Sequence, residues 1–227
     1  MNAHDGDGSI EGAHALQREL AQRVRKRDEF AQPLRTIAGF DVRFEDGGAT
    51  ACVAAVLLDG DTLQPLDEAL VRMPSALPGS DDPELLGIRA WPALREALAR
   101  LPQRPDLAFV DGHGIAHPRR LGIAAHFGVA ADIPSIGVAG EALLGTAAAL
   151  HEIRGAHTPL RDHGEHVGWL LRSVPGQAPL IVSPGHRVSM TATAQLAMRC
   201  VAGDRLPEPT RLADLLASRH AAQPRND

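Results

Sequence analysis

The sequence predicts an α/β domain with a mixed sheet flanked by helices, and three observations carry that prediction. Two apolar runs, "RTIAGFDVRF" and "TACVAAVLLDG", are joined by the Gly-Gly turn of "EDGGA". Two shorter apolar runs, "DLAFVD" and "IPSIGVA", are separated by a helical segment, "RRLGIAAHFGVAA", which makes a βαβ unit with parallel strands. Helix-periodic segments stand at both ends of the chain.

In chain order, Ile10, Ala13, Leu16, Leu20 and Val24 recur at steps of three and four, predicting an amphipathic helix over about 9–29. The hairpin follows, and "EALVRM" supplies a third antiparallel strand. "PSALPGSDDPE" is rich in Pro, Gly and Asp and reads as a surface loop before the helical "LLGIRAWPALREALARL". After the βαβ unit, "RGAHTPLRDHGE" reads as a loop, and "HVGWLLRSV" and "APLIVSPG" as two more strands. Ser189 caps a helix through about Ala202 that Gly203 ends, and "LPEPTRLADLLASRH" is the last helix, with Pro at its entrance. The 227 residues read as one domain, with residues 1–8 and 222–227 as flexible tails.

Composition excludes some classes. Hydrophobic residues make up 44% and charged residues 22%, as in soluble globular proteins. No window approaches about 18 uninterrupted apolar residues, and the N-terminus is polar, so a cytoplasmic protein without a membrane span is expected. Cys52 and Cys200 lie in apolar segments without metal-ligand spacing and read as buried thiols. A net charge of −5 opposes extensive nonspecific nucleic-acid binding but leaves room for a local basic face, for which Arg119, Arg120, Arg187 and Arg199 are candidates.

Two aspartates stand out. Asp111 ends the apolar run of its strand, where ligands of open α/β sheets collect. Asp41 interrupts another strand, where a carboxylate is costly unless paired, hydrogen-bonded or binding a cation. On neighbouring strands the pair would offer hard oxygen ligands to Mg²⁺ or Mn²⁺, the usual arrangement for metal-assisted phosphodiester hydrolysis. A capping or turn role is the alternative for each.

At these residues the chain resembles the endonuclease V (deoxyinosine 3′-endonuclease) family. The matching segments are "IAGFDVRFEDGG", "PDLAFVDGHGIAHPRRLGIAAHFGV", "IPSIGVA", "SPGHRVS" and "LPEPTRLAD", in family order from about residue 37 to 214. The resemblance implies an RNase H-like fold and a metal-dependent endonuclease of DNA repair. Its expected cofactor is Mg²⁺, with Mn²⁺ able to substitute, and its expected partner is inosine-containing DNA or RNA; a monomer is expected. It further implies that Asp41 and Asp111 bind the metal, that His186 lies near the metal and the scissile phosphate, and that His117 joins the same site. Ser75, Gly112, Gly114, Arg119, Arg120 and Gly140 fall on its nucleic-acid path, although a strand-to-helix turn explains the two glycines after Asp111 almost as well. His113 reads as a surface histidine and His126 as a structural one.

Three positions depart from the family pattern. Ala90 replaces a glutamate at the metal site, Gly140 a lysine near the substrate, and Ser75 a tyrosine that wedges into the nucleic acid. These losses imply reduced or altered activity, or a nucleic-acid-binding relative without catalysis, unless Asp81, Asp82 or Glu84 supplies a substitute acid.

Overall fold

The computed structural model describes residues 9–77 and 80–221; the expected tails and Pro78–Gly79 lie outside the described residues. Eight strands form one sheet: β1 (Thr36–Glu45), β2 (Thr50–Asp59), β3 (Pro65–Pro74), β4 (Leu107–Asp111), β5 (Ser135–Ala139), β6 (His157–Asp162), β7 (Glu165–Leu171) and β8 (Leu180–His186). Their order is β3-β2-β1-β4-β5-β8-β7-β6. The β1–β2–β3 meander is antiparallel, β1–β4 and β4–β5 are parallel, and β8 returns antiparallel to β5.

Helices cover both faces. On one, α2 (Leu86–Arg100) and α3 (Ile123–Ala131) bury Ala38, Phe40, Val53, Ala108 and Val110, and α1 (Ile10–Ala21) packs outside α3. On the other, α4 (Met190–Arg199) covers Ile37, Phe109, Val138 and Val182, and α5 (Glu208–Ala221) covers Ala54, Val56 and Leu58. Side chains alternate across a strand, so Phe40 and Asp41 point to opposite helical layers. Among the described residues, no helix is long and apolar enough to cross a membrane.

Three expectations need correction. The first helix stops at Ala21, not near residue 29, because the polar residues after it bond to the end of β8 instead: Arg187 N donates to Arg25 O at 2.7 Å and Glu29 N to Arg187 O at 3.0 Å. The segment read as a loop contains β6, whose hairpin with β7 turns at His163 and Gly164, both at positive φ, as two-residue hairpin turns require. Ser189 does cap α4, accepting from Ala192 N, but the helix ends at Arg199, before Gly203.

Candidate active site

Parallel pairing sets Phe40 beside Val110. One residue further along each strand come Asp41 and Asp111, so the two carboxylates meet on adjacent central strands, on the α5 face. They are close enough for each to act on the other's titration. Asp41 is 4% exposed, and burial raises its pKa against the opposing pull of Arg43. Asp111 opens to solvent at the strand end, yet protein surrounds it on enough sides that burial is the largest cause of its rise to about 7, with Asp41 next.

Two further residues belong to this centre, and sequence reasoning did not single them out. Asp214, from the middle of α5, adds its negative charge to both aspartates. Arg43, two residues after Asp41 and on the same face, donates from Nε to Asp41 Oδ2 at 3.0 Å and from Nη2 to Asp214 Oδ1 at 2.7 Å. Among the described residues, no three His, Cys, Asp or Glu side chains are arranged to hold a metal ion as they stand.

The structure does not bring His186 to the carboxylates. Because β8 runs antiparallel to β5, His186 pairs with Ser135 at the start of β5, whereas Asp111 pairs with Val138 near its end. That is about 10 Å along the sheet and two strands across it. The His186 imidazole instead meets Arg25 N at 3.3 Å and Asp132 Oδ1 at 3.5 Å.

His117 is engaged elsewhere as well. Its Nδ1 accepts from Arg119 N at 3.1 Å, so Nε2 carries the hydrogen and donates to Glu84 O at 2.9 Å. Burial pushes its pKa down to about 4. A lowered folded pKa means that the stability due to the neutral ring is complete above about pH 6.5 and is lost as pH falls toward 4. The loss at this 1%-exposed residue is about 3 kcal/mol. Asp111 acts oppositely, losing stability as pH rises through about 7. The readout is therefore the difference in urea unfolding free energy between the native chain and His117→Gln. That difference should shrink by most of its value from pH 7.5 to pH 4, and a constant difference would show that His117 titrates normally.

The two arginines of "HPRR" do not form a free basic face. Arg119 binds Gln17 Oε1 at 2.5 Å and Glu84 Oε2 at 2.7 Å, while Arg120 binds Asp162 at 2.7 Å and Glu165 at 2.8 Å. Gly112 takes φ +118°, which suits the turn out of β4, and a Cβ on Gly114 would lie 2.1 Å from Pro184 O, so tight packing accounts for both. Ser75 is 6% exposed, its Oγ accepting from Leu77 N at 3.3 Å, and does not project as a wedge. His113 meets Glu141 O at 2.9 Å, and His126 is buried in a stack with Trp91.

Ala90 is fully buried in the apolar layer between α2 and the sheet. The acids of the preceding loop do not replace its missing carboxylate: Glu84 holds Arg119, Asp82 caps Glu84 N at 2.8 Å, and Asp81 and Asp82 face Arg89. Gly140 is exposed, and the guanidinium of Arg205 lies beside it, donating to Gly140 O at 3.3 Å and Pro179 O at 2.9 Å. A cation therefore stands next to the position that lacks the lysine.

A helix-flanked mixed sheet with aspartates meeting on its central strands is an RNase H-like α/β domain. Within that class, the chain belongs to the endonuclease V family, whose model matches residues 18–215. Endonuclease V of Azotobacter vinelandii is 56% identical over 217 residues, which span 96% of this chain and 97% of that protein. The crystal structure of the Streptomyces avermitilis endonuclease V superposes with TM-score 0.86 at 36% identity, covering 94% of this chain and 93% of that one. Endonuclease V of Ciona intestinalis, crystallised with a 24mer DNA containing an inosine followed by a ribo-adenosine, shares the fold with TM-score 0.76 at 22% identity, covering 93% and 97%.

Proposed function

We propose that this chain is a divalent-metal-dependent endonuclease that cuts a phosphodiester bond 3′ to deoxyinosine or inosine, at a reduced rate. The observation that carries this reading is the pair Asp41–Asp111 on adjacent central strands. Family membership and the inosine-containing DNA bound by the Ciona relative support the substrate.

The donor set suits Mg²⁺ or Mn²⁺. Two carboxylates close enough to act on one another, in surroundings that raise both pKa values, are poorly accommodated without a proton or a cation between them. Asp41 and Asp111 would hold the ion, which supplies an activated water and offsets charge on the phosphate. With its pKa raised to about 7, Asp111 is only partly ionised near neutral pH in the metal-free chain, and a bound ion would favour the ionised form. Asp214 adds negative charge from α5. Arg205 beside Gly140 offers the phosphate path a cation, while Glu141 opposes it.

Reduced rate follows from the lack of a carboxylate reaching the centre from the start of α2, where Ala90 is packed into the apolar layer, and from Ser75, which is enclosed. The same enclosure of Ala90 favours a second reading, a relative that binds inosine-containing strands without cutting them.

The test is cleavage of inosine-containing and plain DNA and RNA strands with Mg²⁺ and Mn²⁺. Slow inosine-dependent cutting is expected, and Asp111→Asn should lower it by about a thousandfold, the scale of losing a charged group that acts on the reacting phosphate. Cutting that survives Asp111→Asn refutes the site, and tight inosine-dependent binding with no cutting establishes the second reading.

A further inference from the structure

The carboxylate centre contains its own cation. Arg43 is held by four acceptors: Asp41 Oδ2 at 3.0 Å, Asp214 Oδ1 at 2.7 Å, Asp214 O at 3.2 Å and Ser218 Oγ at 2.9 Å. Its side chain is 35% exposed and Asp41's is 6% exposed, so this contact is partly shielded from water, unlike an ordinary surface pair. The guanidinium keeps its charge throughout the physiological range and has no lone pair with which to coordinate a metal.

We propose that Arg43 is a resident counter-cation of this centre and competes with divalent metal for its carboxylates. This rests on the reading of Asp41 and Asp111 as metal ligands. An ion using Asp41 and Asp214 together needs oxygens that Arg43 now holds. An ion held by Asp41 and Asp111 alone still sits one carboxylate away from a fixed positive charge. In either case loading requires Arg43 to leave Asp41, or proceeds against its charge. Lysine could relieve such a conflict by losing a proton, whereas arginine relieves it only by moving. Ser218 and the Asp214 carbonyl, which bind the guanidinium but are not carboxylate ligands, oppose that movement.

Arg43 thus offsets part of the negative charge of this centre without metal, and the metal affinity depends on the arginine as well as on the aspartates. A competitor two residues from a ligand on the same strand needs no conformational change elsewhere in the fold.

The experiment is a Mn²⁺ titration, with free Mn²⁺ followed by electron paramagnetic resonance, on the native chain, Arg43→Gln, Arg43→Ala, Arg43→Lys and Asp41→Asn/Asp111→Asn. Melting in EDTA establishes that each variant is folded. Arg43→Gln keeps the stem as far as Cδ and an N–H donor near the Nε position, so it carries the test if Arg43→Ala does not fold. Removing the charge should tighten Mn²⁺ binding roughly tenfold or more, a modest return for one unit charge within a few ångströms. Arg43→Lys should bind Mn²⁺ with an affinity between those of the native chain and the neutral variants, because lysine carries the charge but can give up its proton to a bound ion. Without metal, the neutral variants should melt lower than the native chain, and Mn²⁺ should raise their midpoints more. Equal affinity in the native chain and the neutral variants overturns the counter-cation role and leaves the metal centre standing. Binding by no variant above the double-asparagine control overturns both.

Discussion

Replacing Gly39 by alanine is expected to cost the protein about 3 kcal/mol, at the upper end of the range for overpacking. An added Cβ would lie 1.8 Å from Pro209 O and 2.2 Å from Pro209 C. Both are backbone atoms at the start of α5, so no side-chain rotation relieves the clash. Either β1 or α5 must move, and α5 carries Asp214 and Ser218, which hold Arg43. The melting midpoint should fall by roughly 6–12 °C for a domain of this size. Gly140→Ala is the matched control, because its Cβ would meet nothing nearer than the Arg205 guanidinium at 3.7 Å, and it should change the midpoint little. Equal midpoints for the native chain and both variants would mean that α5 does not rest on β1 as closely as described.

Restoring the family's acid by Ala90→Glu is expected to destabilise the chain by about 3–5 kcal/mol at pH 8, not to repair the site. Ala90 has no exposed surface and lies in the layer that holds Phe40, Val53 and Trp91. A carboxylate there would lose its hydration without gaining a partner, so its pKa would rise. With a raised folded pKa, stability is lost as pH rises through that value, so the penalty should be larger at pH 8 than at pH 5. Urea unfolding at the two pH values reads both the size and the sign. A variant as stable as the native chain at pH 8, and further stabilised by Mn²⁺, would show instead that the new side chain reaches past the end of β4 to Asp41 and Asp111. Position 90 would then be a vacated ligand position.

Much of this architecture is legible in the residues. The βαβ unit and the first hairpin are written as apolar runs with Gly-rich turns, and the fold has them there, although the crossover helix begins at Ile123 and not at Arg119. β6 was hidden because Pro159 and three charged or imidazole-bearing residues break its alternation, which an edge strand tolerates. The first helix was overextended because Val24 keeps the helical spacing while its neighbours bond to β8. Asp41 and Asp111 stood out because aspartate is costly in and at the end of buried strands. Asp214 did not, since in "TRLADLLAS" it reads as the polar side of an amphipathic helix, and only the docking of α5 over Gly39 brings it to the centre. Arg43 had a usable signal: two residues from Asp41 in one strand, it had to share that aspartate's face. The fate of Arg119 and Arg120 had none, because Glu84, Asp162 and Glu165 reach them from distant parts of the chain.

The strand order has a consequence for how the protein reaches this state. The β1–β2–β3 meander and the β6–β7 hairpin join neighbours in sequence, but Asp41 and Asp111 meet across β1 and β4, seventy positions apart in the chain. Closing that interval precedes any gain from the contact, so the β1–β4 seam belongs to the slow, nonlocal part of folding. A partly folded chain holding only the local hairpins leaves the two carboxylates apart and hydrated. Their mutual repulsion therefore enters only when the apolar layers on both faces of the sheet are closing, and it weighs on the last stage of assembly without obstructing the first.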